Sequence, residues 1–99
     1  MAITLQIIGH KKSGKTLIMT ALIERLSKEG YRVAALKHDA HNAAMDVPTT
    51  DSARMSNAGA NQVILQSATE FFFHQKSNVP TLTEMVELLS DDNDFVLIE

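Results

Sequence analysis

The sequence predicts an α/β fold with a mainly parallel sheet between helices, and three observations carry that expectation. Short runs rich in β-branched residues alternate with longer stretches whose apolar residues recur at helical spacing. Glycine or capping residues stand at the joins. Between the first run and the first helical stretch lies Gly9-His10-Lys11-Lys12-Ser13-Gly14-Lys15-Thr16, where two glycines flank four residues and a Lys-Thr pair follows.

Ile3–Ile8 is a short apolar run ended by Gly9 and reads as a buried strand. From Thr16, Leu17, Ala21, Leu22, Ile23 and Leu26 follow helical spacing, with Gly30 as the stop. Tyr31–Leu36 is a second strand. Asp39–Thr50 has Asp, Asn, His and Pro without periodicity, so it is a long loop of the kind that often carries function. Thr50-Asp51-Ser52 starts a helix that Gly59 ends. Asn61–Gln66 is a strand, Ser67-Ala68-Thr69 a turn, and Glu70–Gln75 a second extended run. Its Phe71, Phe72 and Phe73 alternate faces, so at least one ring should be core. Thr81-Leu82-Thr83-Glu84 has capping-box form, and Leu82, Met85, Val86 and Leu89 make one apolar helical face. Asp94–Glu99 is a last strand. A chain that ends on such a strand reads as part of a longer protein lacking its C-terminal part.

Composition limits the function classes. At 99 residues the chain is one domain, residues 1–99, large enough for a real core. Net charge is −3, so no general attraction to nucleic acid or an anionic membrane is expected. Anion binding must come from a local arrangement, and the dense basic cluster is His10–Lys15. With no cysteine, disulfides and thiolate metal sites are excluded. The N-terminal apolar run precedes its lysines, the wrong order for a secretory signal, and no run approaches the ~20 residues of a membrane span. The cytoplasm is the expected location.

GHKKSGKT fits G-x-x-x-x-G-K-[ST] and sits between a strand and a helix, the context a P-loop requires. The fold expectation is therefore P-loop NTPase-like, in three layers. Gly9 and Gly14 let successive N–H groups turn toward one anion, and the following helix adds its positive end. Lys15 reaches the β and γ phosphates, and the Thr16 hydroxyl can ligate Mg²⁺. Ser13 and Leu17 flank these residues in the candidate nucleotide site. His10 and Lys12 are candidate contacts too, although a loop residue of either type more often faces only solvent, as does Lys11.

Such a site needs a carboxylate to hold Mg²⁺ or orient water. Glu99 ends the apolar strand 95–98, and Asp39 ends the second strand in Lys37-His38-Asp39-Ala40-His41; both should lie at the ligand edge of a parallel sheet. Glu99 and Asp39 are the candidate catalytic residues and, with Thr16, the candidate metal ligands. A terminal charge and a turn-forming aspartate are the plain alternatives. His38 and His41 alone are a thin basis for a metal pair. Arg54 is a candidate phosphate or cofactor contact, set against the commoner exposed helical arginine.

Taken together, GHKKSGKT with its helix, GYRVAALKHDAH (30–41), Asp46, Asp51-Ser52-x-Arg54, Ala58-Gly59-Ala60 and the strand to Glu99 resemble the molybdopterin-guanine dinucleotide biosynthesis protein B family (MobB) over nearly the whole chain. The resemblance implies a P-loop GTP-binding protein, often dimeric, with weak GTPase activity. It assists the enzyme that attaches GMP to molybdopterin, so molybdopterin or that guanylyltransferase is the implied partner. On this resemblance Gly9, Ser13, Gly14, Lys15 and Thr16 hold phosphate and Mg²⁺, Asp39 and Glu99 lie at the metal edge, and Arg54 meets phosphate or cofactor. Two departures stand out: Thr50 occupies a place where the family often has glycine, and the family's last strand continues past its glutamate. No [NT]-K-x-D guanine-reading motif occurs, so GTP comes from the resemblance alone.

Three readings follow. The leading one is a GTP-binding accessory protein of molybdenum cofactor biosynthesis with slow hydrolysis. A P-loop kinase acting on a small metabolite would share Lys15 and Thr16 but should carry a lid with more arginines than the scattered Arg25, Arg32 and Arg54. A nucleotide-gated adaptor would bind GTP without useful turnover.

Overall fold

A computed structural model describes residues 2–10, 14–38 and 50–99. In chain order the elements are β1 (Ile3–Gln6), α1 (Lys15–Lys28), β2 (Val33–Leu36), α2 (Thr50–Asn57), β3 (Gln62–Gln66), β4 (Phe71–Gln75), α3 (Leu82–Ser90) and β5 (Phe95–Ile98). They fall into two compact units, Met1–Ala40 with Pro80–Glu99, and His41–Val79. Among the described residues no helix is long and apolar enough to cross a membrane.

The first unit is the parallel α/β part. Its three strands run in the order β1-β5-β2, with Ile3 and Val33 both opposite Phe95. The chain's last strand is therefore the centre of this sheet. FVLI is apolar at every position because a parallel strand covered on both faces has no solvent side, and Val96 and Leu97 are both 0% exposed. Helix α3 lies against β5 and α1 against β2, and α1 contributes the buried Met19.

The expectation of a buried first strand is corrected. β1 is the edge strand, with Ile3 57% exposed and Leu5 exposed as well. Among the described residues it pairs with β5 alone, and the main helix contacts fall on β5 and β2. An apolar composition makes a strand suitable for burial, but its place in the sheet order decides whether burial happens.

The joins follow their local chemistry. Helix α1 ends with Gly30 at φ 91. There Gly30 N–H donates to the Ser27 carbonyl and Tyr31 N–H to the Leu26 carbonyl, both at 3.1 Å, the paired bonds of a Schellman motif. Ahead of β5, Arg32 ties the start of β2 to the turn after α3. Its N–H donates to Asp94 Oδ2 at 2.8 Å and its Nε to the Asp92 carbonyl at 2.7 Å, while Asp94 N–H donates back to the Arg32 carbonyl at 2.8 Å. Tyr31 packs edge-on against Phe95 at 5.2 Å. The β2–β5 register is thus fixed at the end far from Glu99.

The second unit is an antiparallel hairpin, β3 with β4, carrying α2. Ser67 makes its turn: Ser67 N–H donates to the Glu70 carbonyl at 2.9 Å, and Glu70 N–H donates to Ser67 Oγ at 3.2 Å. Helix α2 packs on β3, with Ser52, Ser56 and Val63 buried. Ser56 Oγ meets His74 Nδ1 at 3.4 Å, and Lys76 Nζ donates to the Ser56 carbonyl. Like α1, α2 is followed by a glycine of positive φ, Gly59.

The expectation of a core phenylalanine is also corrected, since Phe71, Phe72 and Phe73 are all exposed. Cross-strand partners share a face, so Val63, His74, Leu65 and Phe72 form one face and Ile64, Phe73, Gln66 and Phe71 the other. Helix α2 covers Val63 at the end away from the turn, leaving Phe72 open. Phe71 and Phe73 share the opposite face with the exposed Ile64.

Helix α3 has the capping box its sequence predicts. Glu84 N–H donates to Thr81 Oγ1 at 3.2 Å, and Thr81 N–H donates to Glu84 Oε1 at 3.1 Å. The backbone N–H of Thr81, and then its side chain, hold the Glu84 carboxyl below its ordinary value of 4.5. A depressed carboxylate stabilises the fold at pH above that ordinary value and loses its contribution as pH falls through the lowered one. Glu84→Ala should therefore lower the urea midpoint at pH 7, and its difference from the parent should shrink as the pH falls below about 4. A difference constant from pH 7 to 3 would contradict this account of the cap.

Candidate functional site

The site lies at the C-terminal edge of the β1-β5-β2 sheet. After β1 the chain passes Gly9 and His10, both exposed, and α1 begins behind Gly14. Gly14 is the N-cap, left-handed at φ 88, with no side-chain cap bond. No described residue lies within 4 Å of where a Cβ would stand, and the positive φ by itself favours glycine here. The first amides of a helix have no intrahelical acceptor. The first turn of α1 contains no acidic residue, while Lys15 opens it. The first turn of α1 therefore brings no negative charge of its own to the positive helix end, which suits a phosphate.

Thr16 turns this helix start toward the sheet. Its Oγ1 donates to Glu99 Oε1 at 2.7 Å, and its carbonyl accepts from Thr20 Oγ1 at 2.7 Å. Glu99 is held by the sheet, its N–H donating to the Leu36 carbonyl at 2.8 Å and its carbonyl accepting from His38 N–H at 3.0 Å. On the other side, Ile7 N–H donates to the Ile98 carbonyl at 2.8 Å. The ladder thus runs past the regular strands and places Glu99 between Ile7 and Lys37.

Two residues expected at one metal edge, Thr16 and Glu99, are in direct contact. Mg²⁺ takes few protein ligands and completes its octahedron with phosphate oxygens and water; neighbouring ligands at ~2.1 Å from the ion lie about 3 Å apart. A hydroxyl and a carboxylate oxygen 2.7 Å apart fit two such positions. No group of three or more His, Cys, Asp or Glu side chains able to hold a metal occurs among the described residues, so an ion here would depend on the bound anion.

The other expected residues separate clearly. Leu17, on the first turn of α1, is exposed. Lys12, Ser13, Asp39, His41 and the loop carrying Asp46 lie outside the described residues. Arg54 is exposed on α2, in the second unit. Lys37, opposite Glu99 in the ladder, was not singled out by sequence reasoning. Its place at the end of a strand was visible, but its neighbour was not.

A polar cavity of about 410 Å³ opens at the other edge of the sheet, lined by Arg32, Ser90, Asp91, Asp92, Asn93 and Asp94. Its carboxylates have the wrong sign for phosphate, and the Arg32 Nε already donates to the Asp92 backbone carbonyl.

Residues 4–99 match the family described as Molybdopterin guanine dinucleotide synthesis protein B. A relative from Methanocaldococcus jannaschii is 36% identical over 96 residues, covering 94% of this chain and 38% of the relative. A molybdopterin-guanine dinucleotide biosynthesis adapter protein from Haemophilus influenzae is 34% identical over 97 residues, covering 96% of this chain and 54% of the relative. The crystal structure of Bacillus subtilis MobB superposes with a TM-score of 0.78 at 24% identity, covering all of this chain and 61% of that one. The chain therefore spans about two fifths to three fifths of the length of these relatives.

The Thr16–Glu99 bond joins an exposed hydroxyl to a half-buried carboxylate, and bonds so placed add little to stability. Thr16→Val should change the unfolding free energy by less than about 1 kcal/mol, measured by urea denaturation. A loss of several kcal/mol would make the contact a structural tie and not a poised ligand pair.

Proposed function

The chain belongs to the molybdopterin guanine dinucleotide synthesis protein B family, and from that premise we propose that it is a GTP-binding accessory protein of molybdenum cofactor biosynthesis. The observation that carries the proposal is the 2.7 Å contact between Thr16 and Glu99. It joins the end of a phosphate-binding motif to the carboxylate at the end of the central strand. Residues 1–99 act as a P-loop nucleotide-binding domain, located in the cytoplasm.

In this reading Gly9 and Gly14 shape the loop, and Ser13, with His10, Lys12 and Leu17 around it, lines the nucleotide. Lys15 and the first amides of α1 bind the phosphates. Thr16 and Glu99 would hold Mg²⁺, with Asp39 as a further candidate ligand. When bound there, Mg²⁺ would supply charge neutralisation for the phosphates. Glu99 and Asp39 orient water for slow hydrolysis, and Arg54 contacts phosphate or cofactor. The protein works as a homodimer beside molybdopterin or the enzyme that attaches GMP to it. The adapter name of the H. influenzae relative favours a second reading, in which GTP binding gates a partner without useful turnover.

Equilibrium binding of GTP and ATP in the presence of Mg²⁺ tests the proposal. GTP should bind at least about tenfold more tightly than ATP, and Lys15→Ala should weaken GTP by about tenfold or more. Preference for ATP would point to a metabolite kinase, and no binding by the folded chain would overturn the nucleotide reading.

A further inference from the structure

Lys37 is the residue the sheet places beside Glu99. Glu99 bonds to both Leu36 and His38, so Lys37 is its partner in the parallel ladder, one step past Leu36 and Ile98. Parallel partners project from the same face of a sheet. The face taken by Glu99 is the one toward α1, because its carboxylate receives the Thr16 hydroxyl. Lys37 therefore leaves the sheet on the α1 side, one strand spacing of ~4.8 Å from Glu99. It is exposed. Among the described residues it takes part in no ion pair, the carboxylate beside it being occupied by Thr16.

We infer that Lys37 is a second phosphate-binding cation of this edge, one that recognises the terminal phosphate and so distinguishes a nucleoside triphosphate from a diphosphate. The inference rests on the nucleotide reading above. The helix whose Thr16 meets Glu99 begins with Lys15, and the strand that pairs with Glu99 is followed by Lys37, so each of these two elements brings a cation to the edge. An exposed ammonium keeps its hydration at little cost while no anion is present. It gains a charge-assisted bond when phosphate oxygens come within reach of its four-carbon stem. When a divalent cation matches the charge of Glu99, the anion is the remaining partner for Lys37. The other possible role of such a residue is a solvated lysine at a strand end, and that role predicts no change in nucleotide discrimination.

The test is binding of a slowly hydrolysed GTP analogue and of GDP at saturating Mg²⁺, for the parent chain, Lys37→Met and Lys37→Arg. Thermal melts of each confirm folding. The inference expects the parent to prefer the triphosphate. Lys37→Met should weaken the analogue about tenfold while GDP stays within about twofold, and Lys37→Arg should restore most of the difference. Equal loss for both nucleotides, or no loss for either, would overturn the role of Lys37 while leaving the nucleotide reading intact. A folded parent that binds neither nucleotide would overturn both.

Discussion

Pairing along both edges of β5 places the described residues at the C-terminal edge of the first unit's sheet. Val96, Leu97 and Ile98 are buried between β1, β2 and the covering helices. Burial of side chains of this size is worth about 1.5–3 kcal/mol each. Arg32 and Asp94 fix the register at one end, and the ladder carries that register to the other. Glu99 is the residue at which the register emerges, flanked by Ile7 and Lys37. Its position is a consequence of strand pairing, while the 2.7 Å bond to Thr16 is a consequence of that position and of where α1 begins.

The two edges of the sheet are chemically opposite. At the C-terminal edge the described residues are the start of α1 with Lys15, Lys37 after β2, and the Glu99 carboxylate, which engages the Thr16 hydroxyl. At the N-terminal edge the polar cavity is lined by Asp91, Asp92 and Asp94 and by Arg32, whose Nε donates to the Asp92 backbone carbonyl. Phosphate is favoured by fixed donors and unpaired cations and disfavoured by carboxylates. The charge pattern therefore favours the C-terminal edge over the cavity.

Much of this was legible in the sequence, because local signals and the fold agreed. The helix stops at Gly30 and Gly59 and the capping box at Thr81 depend on a few neighbouring residues, and each predicted its geometry. The helix start after Gly14 was readable for the same reason, and the position of Glu99 from the apolar run it ends. Non-local facts were not readable. Ile3 and Leu5 are as apolar as a buried strand requires, yet sheet order puts them at an edge. Phe71–Phe73 depend on which hairpin face α2 covers. Lys37 gains its interest only from β2 lying beside β5 in a particular register. The family membership follows from the match over residues 4–99, which agrees with the resemblance carried by the P-loop, the 30–41 segment and the residues around Arg54.

The central claim is that the C-terminal edge of the β1-β5-β2 sheet binds a nucleotide through the start of α1 and Glu99. Backbone amide shifts followed by NMR, as Mg²⁺ and a slowly hydrolysed GTP analogue are added, test it most directly. The account predicts the largest changes at Lys15, Thr16, Leu17 and Glu99, with His38 affected through its bond to Glu99. Changes centred on Arg32 and Asp91–Asp94, with the start of α1 unmoved, would contradict it.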